Sequence, residues 1–362
     1  MKAKKIWLML GIVIFITYFL FAVRSIPPET VLIPKWLSSF ESDKPIKFES
    51  NEYTVNNSLL PFKIGERFGY IDRNGCFSVN RIINNKLSFS PERWAEYENE
   101  PEQIEVYNNS GDKLTVIENP RGYPFFIDNR SFLLGSEQNS ISEINESGET
   151  LWAYEFPGII TCVDSSSGLL LAGTLDGIIE VLDNTGKNIF RFEPGGSKYP
   201  VILGCAISCD GSRFAVISGI DSQRFMVFER FGSRNGEYKV AYHEFLDGGF
   251  RRPVYVTFTD NDRWVTFECS GGLGIYETGS RQMKKVYFNG DIKALDRCGK
   301  KEMVFIVAAD NVYEKKLIGI ALPGRIMLES PFKSGEIFMD RIDSQLFVGG
   351  ARAIISFDLD KR

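Results

Sequence analysis

The chain has 362 residues, enough for two average domains or one large all-β domain. It is 43% hydrophobic and 25% charged, with 33 Gly and 29 Phe, which excludes a largely disordered chain and favours strands and tight turns over helices. A net charge of −5 argues against a nucleic-acid-binding surface spread over the whole protein, and a single histidine, His243, excludes a multi-histidine zinc site.

The first predicted element is a membrane segment. Lys2, Lys4 and Lys5 precede an uncharged run from Ile6 to Val23, which Arg24 ends. As a helix these 18 residues rise about 27 Å, close to the hydrocarbon thickness of a bilayer. The lysines place the N-terminus in the cytoplasm and the rest of the chain outside the cytoplasmic membrane, in the periplasm if the source is bacterial. A cleaved signal peptide is the alternative, but Phe21-Ala22-Val23-Arg24-Ser25 is a poor cleavage site. Residues 1–23 are therefore expected to form a cytoplasmic tip and signal anchor. Residues 24–45, punctuated by Pro27, Pro28, Pro34 and Pro45, are expected to form a stiff spacer.

From residue 46 to 362, short β-rich runs are divided by Gly, Asn, Asp and Ser about every ten residues, the rhythm of an all-β domain. A longer repeat lies on top of it: Ile71-Asp72-Arg73-Asn74-Gly75, Val106-Tyr107-Asn108-Asn109-Ser110-Gly111, Ile144-Asn145-Glu146-Ser147-Gly148 and Leu182-Asp183-Asn184-Thr185-Gly186. The turn glycines are 36, 37 and 38 residues apart. Looser copies follow near Phe225, Ile275 and Ile318, and the last, Ile354 to Asp360, has no partner strand after it. A repeat of about forty residues suits a four-stranded propeller blade, whose faces are buried only when sheets stack around a ring. The expected fold is a β-propeller of eight four-stranded blades, with seven the alternative.

One unit reads as an inner strand from Ile159 to Cys162, a second at Leu169–Gly173, a third at Ile178–Asp183 and an outer strand at Asn188–Phe192. The next reads Ile202–Ser208, Arg213–Ile217, Arg224–Phe228 and Glu237–Tyr242. The missing outer strand of the last unit is assigned to Ile46-Lys47-Phe48-Glu49-Ser50, closing the ring and removing exposed edges.

The stretch Leu171-Ala172-Gly173-Thr174-Leu175-Asp176-Gly177 through Asp183-Asn184-Thr185-Gly186-Lys187 resembles the repeat of quinoprotein-type (PQQ-like) propellers. Gly148-Glu149-Thr150-Leu151-Trp152 resembles the glycine-to-tryptophan corner of the same family. Ser208-Cys209-Asp210-Gly211 is similar to the Ser-Pro-Asp-Gly turn of WD40-like propellers, with Cys209 in place of proline. The close match covers Ile141 to Ser212, and Phe190 stands where the next copy would have tryptophan. The resemblance implies the fold and, for its nearest members, a role in envelope protein assembly.

No catalytic, cofactor-binding or metal-binding residues emerge. The Asp-containing turns lack a calcium-loop pattern and read as hairpin turns. No Gly-x-Ser-x-Gly elbow partners His243, which falls on an outer strand. Phe214, Tyr255 and Trp264 read as core residues between blades. Among the six cysteines, Cys162 and Cys205 occupy comparable places in successive units; buried free thiols are favoured over a disulfide. Two loops carry the candidate partner-binding residues. Phe250, Arg251 and Arg252 lie between an outer strand and the next inner one, and Phe231 and Arg234 lie in a long turn on the opposite face; arginine and aromatics are enriched at interfaces. The expected function is a membrane-tethered scaffold with a protein partner, no cofactor and no nucleic acid. A quinoprotein-like or carbohydrate-active enzyme, or a small-molecule sensor, is the alternative.

Overall fold

Each repeat becomes a meander because its apolar residues run in short extended segments and its turns supply positive-φ glycines. The computed structural model describes residues 11, 12, 15, 17, 18, 30–42, 44–48, 58–127, 129–232, 236–298 and 302–361. Strands in the middle of a sheet are buried on both faces, as in Trp264–Cys269 and Met303–Ala309, where every residue is buried. Outer strands such as Thr150–Glu155 alternate between half-buried and exposed positions, because one face meets solvent.

The strands form eight antiparallel sheets, numbered here as blades 1 to 8 along the chain. Blades 2 to 7 each have four strands in sequence order, at 86–118, 122–155, 160–192, 202–245, 256–287 and 291–333. Blade 1 has three described strands, Leu60–Ile64, Arg67–Ile71 and Phe77–Ile82. Blade 8 combines Phe338–Ile342, Gln345–Gly350 and Ala353–Lys361 with Thr30–Ser39 and the two-residue strand Ile46–Lys47. The core is divided in the same way: eight apolar clusters each join two neighbouring blades, and one of them joins blade 8 to blade 1 through Trp36, Phe62 and Phe347. This is a closed eight-bladed propeller.

The ring closes on a different segment from the one the sequence suggested. Thr30–Ser39 runs antiparallel to Ala353–Lys361, from Thr30 opposite Lys361 to Ser39 opposite Ala353. The propeller therefore begins inside the stretch expected to be a spacer, and Ile46–Lys47 only pairs outside Trp36 and Leu37. Pro34 hid the strand. It lies opposite Phe357, beyond the Ile46–Lys47 pairing and next to a bulge between Pro34 and Trp36, a place where a strand tolerates proline.

The strands of blades 4 and 5 fall within a few residues of their expected places, and Asn188–Phe192 matches outright. His243 is exposed on the outer strand Tyr238–Phe245. Phe214 and Trp264 are buried between blades, whereas Tyr255 is 37% exposed in a loop and donates its hydroxyl to Lys293 O.

The recurrent turn is built alike in four successive blades. A side-chain oxygen of Asp72, Asn108, Asn145 or Asp183 accepts the backbone N–H groups two and four residues on. Gly75, Gly111, Gly148 and Gly186 then take φ values of +88°, +92°, +81° and +79°, which other residues adopt at a cost. These carboxylates and amides are committed to the turn backbone.

Among the described residues no helix is long and apolar enough to cross a membrane. Of the expected span Ile6–Val23, residues 11, 12, 15, 17 and 18 are helical, and the rest lies outside the described residues.

Candidate interaction face

Antiparallel succession sends the loops between second and third strands, and those from an outer strand to the next inner one, to one face of the ring. The other two kinds of turn lie on the opposite face. Exposed apolar side chains gather on the first face. Leu175, Val312 and Tyr313 lie in second-to-third loops; Ile159, Tyr199 and Tyr255 lie in blade-to-blade loops; Phe245 and Tyr287 end outer strands that run into such loops. These eight belong to blades 4 to 7 or the connections into them; Ile82, 59% exposed at the end of blade 1's outer strand, is on the same face outside that sector. Tyr199, Tyr287, Val312 and Tyr313 are 61–70% exposed. Leu114, Leu151, Ile189, Val240 and Ile326 are also exposed, but singly, on the outer strands of different blades, which is ordinary for a protein surface.

The loops on this face are held in place. Ile220 N donates to Tyr199 O at 3.0 Å, and Gly219 N donates to Val201 O at 2.9 Å, so the loop before blade 5 is pinned to a loop within it. Asp221 clamps the same loop, accepting from the Ser197 hydroxyl and from Lys198 N. The Ser197 hydrogen bond, followed by backbone N–H groups, holds the Asp221 carboxyl down to about 2. Arg224 reaches Gly195 O at 2.7 Å and lies over the Phe245 ring at 5.2 Å. In blade 7 the buried Lys315 ammonium caps the Val312–Tyr313 loop, donating to the carbonyls of Val312, Ser334 and Gly335. An apolar surface on pinned loops loses little entropy when a partner binds.

The two loops named from sequence fare differently. Arg252 makes a bidentate ion pair with Glu268 at 2.7 and 3.0 Å, and its guanidinium stacks on Phe250 at 4.5 Å. Glu268 is 2% exposed, so Arg252 is a structural counter-ion to a buried carboxylate. Arg251, next to it, is exposed on the aromatic face. Phe231 is 49% exposed on the opposite face, with the Lys239 ammonium 6.0 Å from its ring centre, and Arg234 lies outside the described residues. Sequence reasoning missed Tyr199, Tyr287 and Tyr313, because a tyrosine beside a loop reads the same whether its ring packs inward or projects.

Five exposed aspartates accompany the aromatics: Asp176, Asp221, Asp247, Asp291 and Asp310. A cleft of about 550 Å³ lies elsewhere, lined by Asn84, Asn85, Lys86, Tyr97 and Glu98 to Glu100. It is open and polar, without convergent catalytic groups. Among the described residues no three His, Cys, Asp or Glu side chains are grouped to hold a metal ion.

A β-propeller family model matches residues 1–361. The chain belongs to that β-propeller family. A Treponema pallidum (strain Nichols) protein, itself uncharacterised, is 27% identical over 281 residues, covering 76% of this propeller and 74% of that protein. Among solved structures, BamB from Moraxella catarrhalis aligns over 91% of this propeller and all of its own chain, with a TM-score of 0.56 and 11% identity. The computationally designed Ika8 protein aligns over 92% of this propeller and all of its own chain, with a TM-score of 0.62 and 14% identity. Identities this low establish a shared fold alone.

Proposed function

We propose that this propeller is a membrane-tethered, extracytoplasmic scaffold that holds a polypeptide partner on the loop face of blades 4 to 7. The observation that carries this reading is the crowding of exposed Tyr199, Phe245, Tyr255, Tyr287 and Tyr313 onto one face, on loops already pinned. Tyrosine supplies large, rigid contact area at low entropic cost. Of the accompanying aspartates, Asp247, Asp291 and Asp310 pair with Lys285, Lys293 and Lys316, so Asp176 and Asp221 are the acidic groups that favour some basic side chains in an otherwise apolar partner segment. The tether rests on the lysine-flanked apolar run and on Ile12, Phe15 and Tyr18, which are helical and 50%, 65% and 67% exposed. Envelope assembly is the setting that the repeat resemblance implies.

The test places a photo-crosslinking amino acid at Tyr199, Tyr287 or Tyr313 in intact cells, with Leu114 on blade 2 as the control. The reading expects one common adduct from the three loop positions and none from Leu114. Absence of loop adducts, or the same adduct from Leu114, overturns it. Protease added outside spheroplasts tests the topology, since protection of residues beyond Arg24 contradicts export.

A further inference from the structure

Blades 4 and 5 meet along their innermost strands, Ile160–Ser166 and Ile202–Ile207, and a cysteine stands on each. Cys162 and Cys205 stand on the two sides of this seam, both as free thiols, both half-buried against the same apolar cluster. The seam is fixed on either side of them. Thr161 Oγ1 lies 2.5 Å from Ile202 O, and Ile207 N donates to Asp164 Oδ2 at 2.9 Å. Gly173 leaves the room they need, because a Cβ there would stand 2.8 Å from the Cys162 sulfur and 2.5 Å from Ile202. Two thiols on neighbouring strands, with seam hydrogen bonds on either side of them, are placed to form one bond.

We propose that Cys162 and Cys205 are a disulfide-forming site that takes a small-molecule disulfide, such as oxidised glutathione, as its oxidant and staples blade 4 to blade 5. One cysteine thiolate attacks a sulfur of the external disulfide; that S–S bond breaks, and one small thiolate leaves. The second cysteine then displaces the remaining small thiol and forms the Cys162–Cys205 bond. Two cysteine thiols lose two electrons, the external disulfide gains them, and the two protons end on the two released small thiols. The hydrogen bond to Cys162, followed by burial, raises the Cys205 thiol well above its ordinary value, so exchange quickens as pH rises. The staple would bind together the two blades whose loops carry Leu175, Tyr199 and Phe245.

The experiment treats the full chain with oxidised glutathione at pH 8, alkylates remaining thiols under denaturing conditions, and maps the digest by mass spectrometry. The expected result is a Cys162–Cys205 linked peptide pair, lighter by two hydrogens than the two free peptides, as the predominant intramolecular product. Cys205→Ser should instead trap Cys162 as a stable glutathione adduct, and Cys162→Ser should do the same at Cys205. Oxidised wild-type protein should melt above the reduced form, with no such shift in either serine variant. Recovery of Cys162 and Cys205 only as separate alkylated or glutathionylated peptides overturns the proposal, as do pairings with the exposed Cys76 and Cys209 in equal yield. The wild-type map decides the matter even if a serine variant fails to fold.

Discussion

The indole of Trp36 lies flat under Gly75, so close that a Cβ on the glycine would stand 2.7 Å from the ring carbon Cδ2. Trp152 stands in the same relation to Gly186, at 2.6 Å. In each case the tryptophan comes from an outer strand and the glycine from the recurrent turn of the next blade, so the contact joins blades rather than stabilising one. Trp36 also donates its indole N–H to Arg73 O at 2.9 Å, and Ser38 donates to Gly75 O at 2.6 Å. Between these two pairs the same socket is filled less fully: Val79 approaches Gly111, and backbone of Val116 and Ile117 approaches Gly148.

This series grades the glycines. Gly75→Ala and Gly186→Ala should each destabilise by about 3 kcal/mol or more, because ring displacement adds to the positive-φ cost. Gly111→Ala, whose Cβ would meet only Val79 at 3.5 Å, should cost about 1 kcal/mol from φ alone. Urea unfolding midpoints of the three variants measure the ranking; equal losses would contradict the docking argument.

The closing strand makes a truncation prediction. A chain starting at residue 30 retains the whole Thr30–Ser39 ladder and should keep the native melting temperature. A chain starting at residue 45 loses that ladder and the buried Trp36 and Phe40, and should melt far lower or aggregate through the bared edge of Ala353–Lys361. Circular dichroism melts and light scattering distinguish them.

Arg251 and Arg252 should separate cleanly. Arg252→Ala strands Glu268 without its counter-ion and should cost about 2 kcal/mol of stability, moderated because Arg252 is 41% exposed. Arg251→Ala should change stability by no more than about 0.5 kcal/mol. If the loop face is the binding surface, Arg251→Ala alters crosslinking yield at Tyr199 without moving the urea midpoint.

Glu180 gives a pH signature. It is fully buried and accepts from the Tyr154 hydroxyl at 3.2 Å, from Asn188 at 2.8 Å and from the Arg191 guanidinium at 3.5 Å, and burial outweighs these partners and raises its carboxyl above the ordinary value of 4.5. The folded chain therefore holds this proton more tightly than the unfolded one. Its contribution to stability is full below the unfolded value and declines as pH rises toward the folded one. Glu180→Gln removes that decline, so its stability relative to wild type should improve as pH rises above about 4.5 and level off once pH passes the folded value. Unfolding midpoints at stepped pH check it, and a constant difference would refute the assignment.

The sequence by itself determined the all-β class, the repeat of about forty residues and the strand positions of blades 4 and 5, because alternating side chains and turn glycines are local properties. It also placed His243 on an outer strand, and Cys162 and Cys205 at comparable places in successive units, which a ring sets side by side along a seam. Tertiary structure alone decided which segment closes that ring: Pro34 argues against a strand locally, and only the bared edge of Ala353–Lys361 outweighs it. It alone divided Arg252 from Arg251, because a counter-ion is defined by a carboxylate sixteen positions on in another strand. It alone brought Tyr199, Tyr287 and Tyr313 onto one face, since the direction a loop side chain points depends on the blades packed around it.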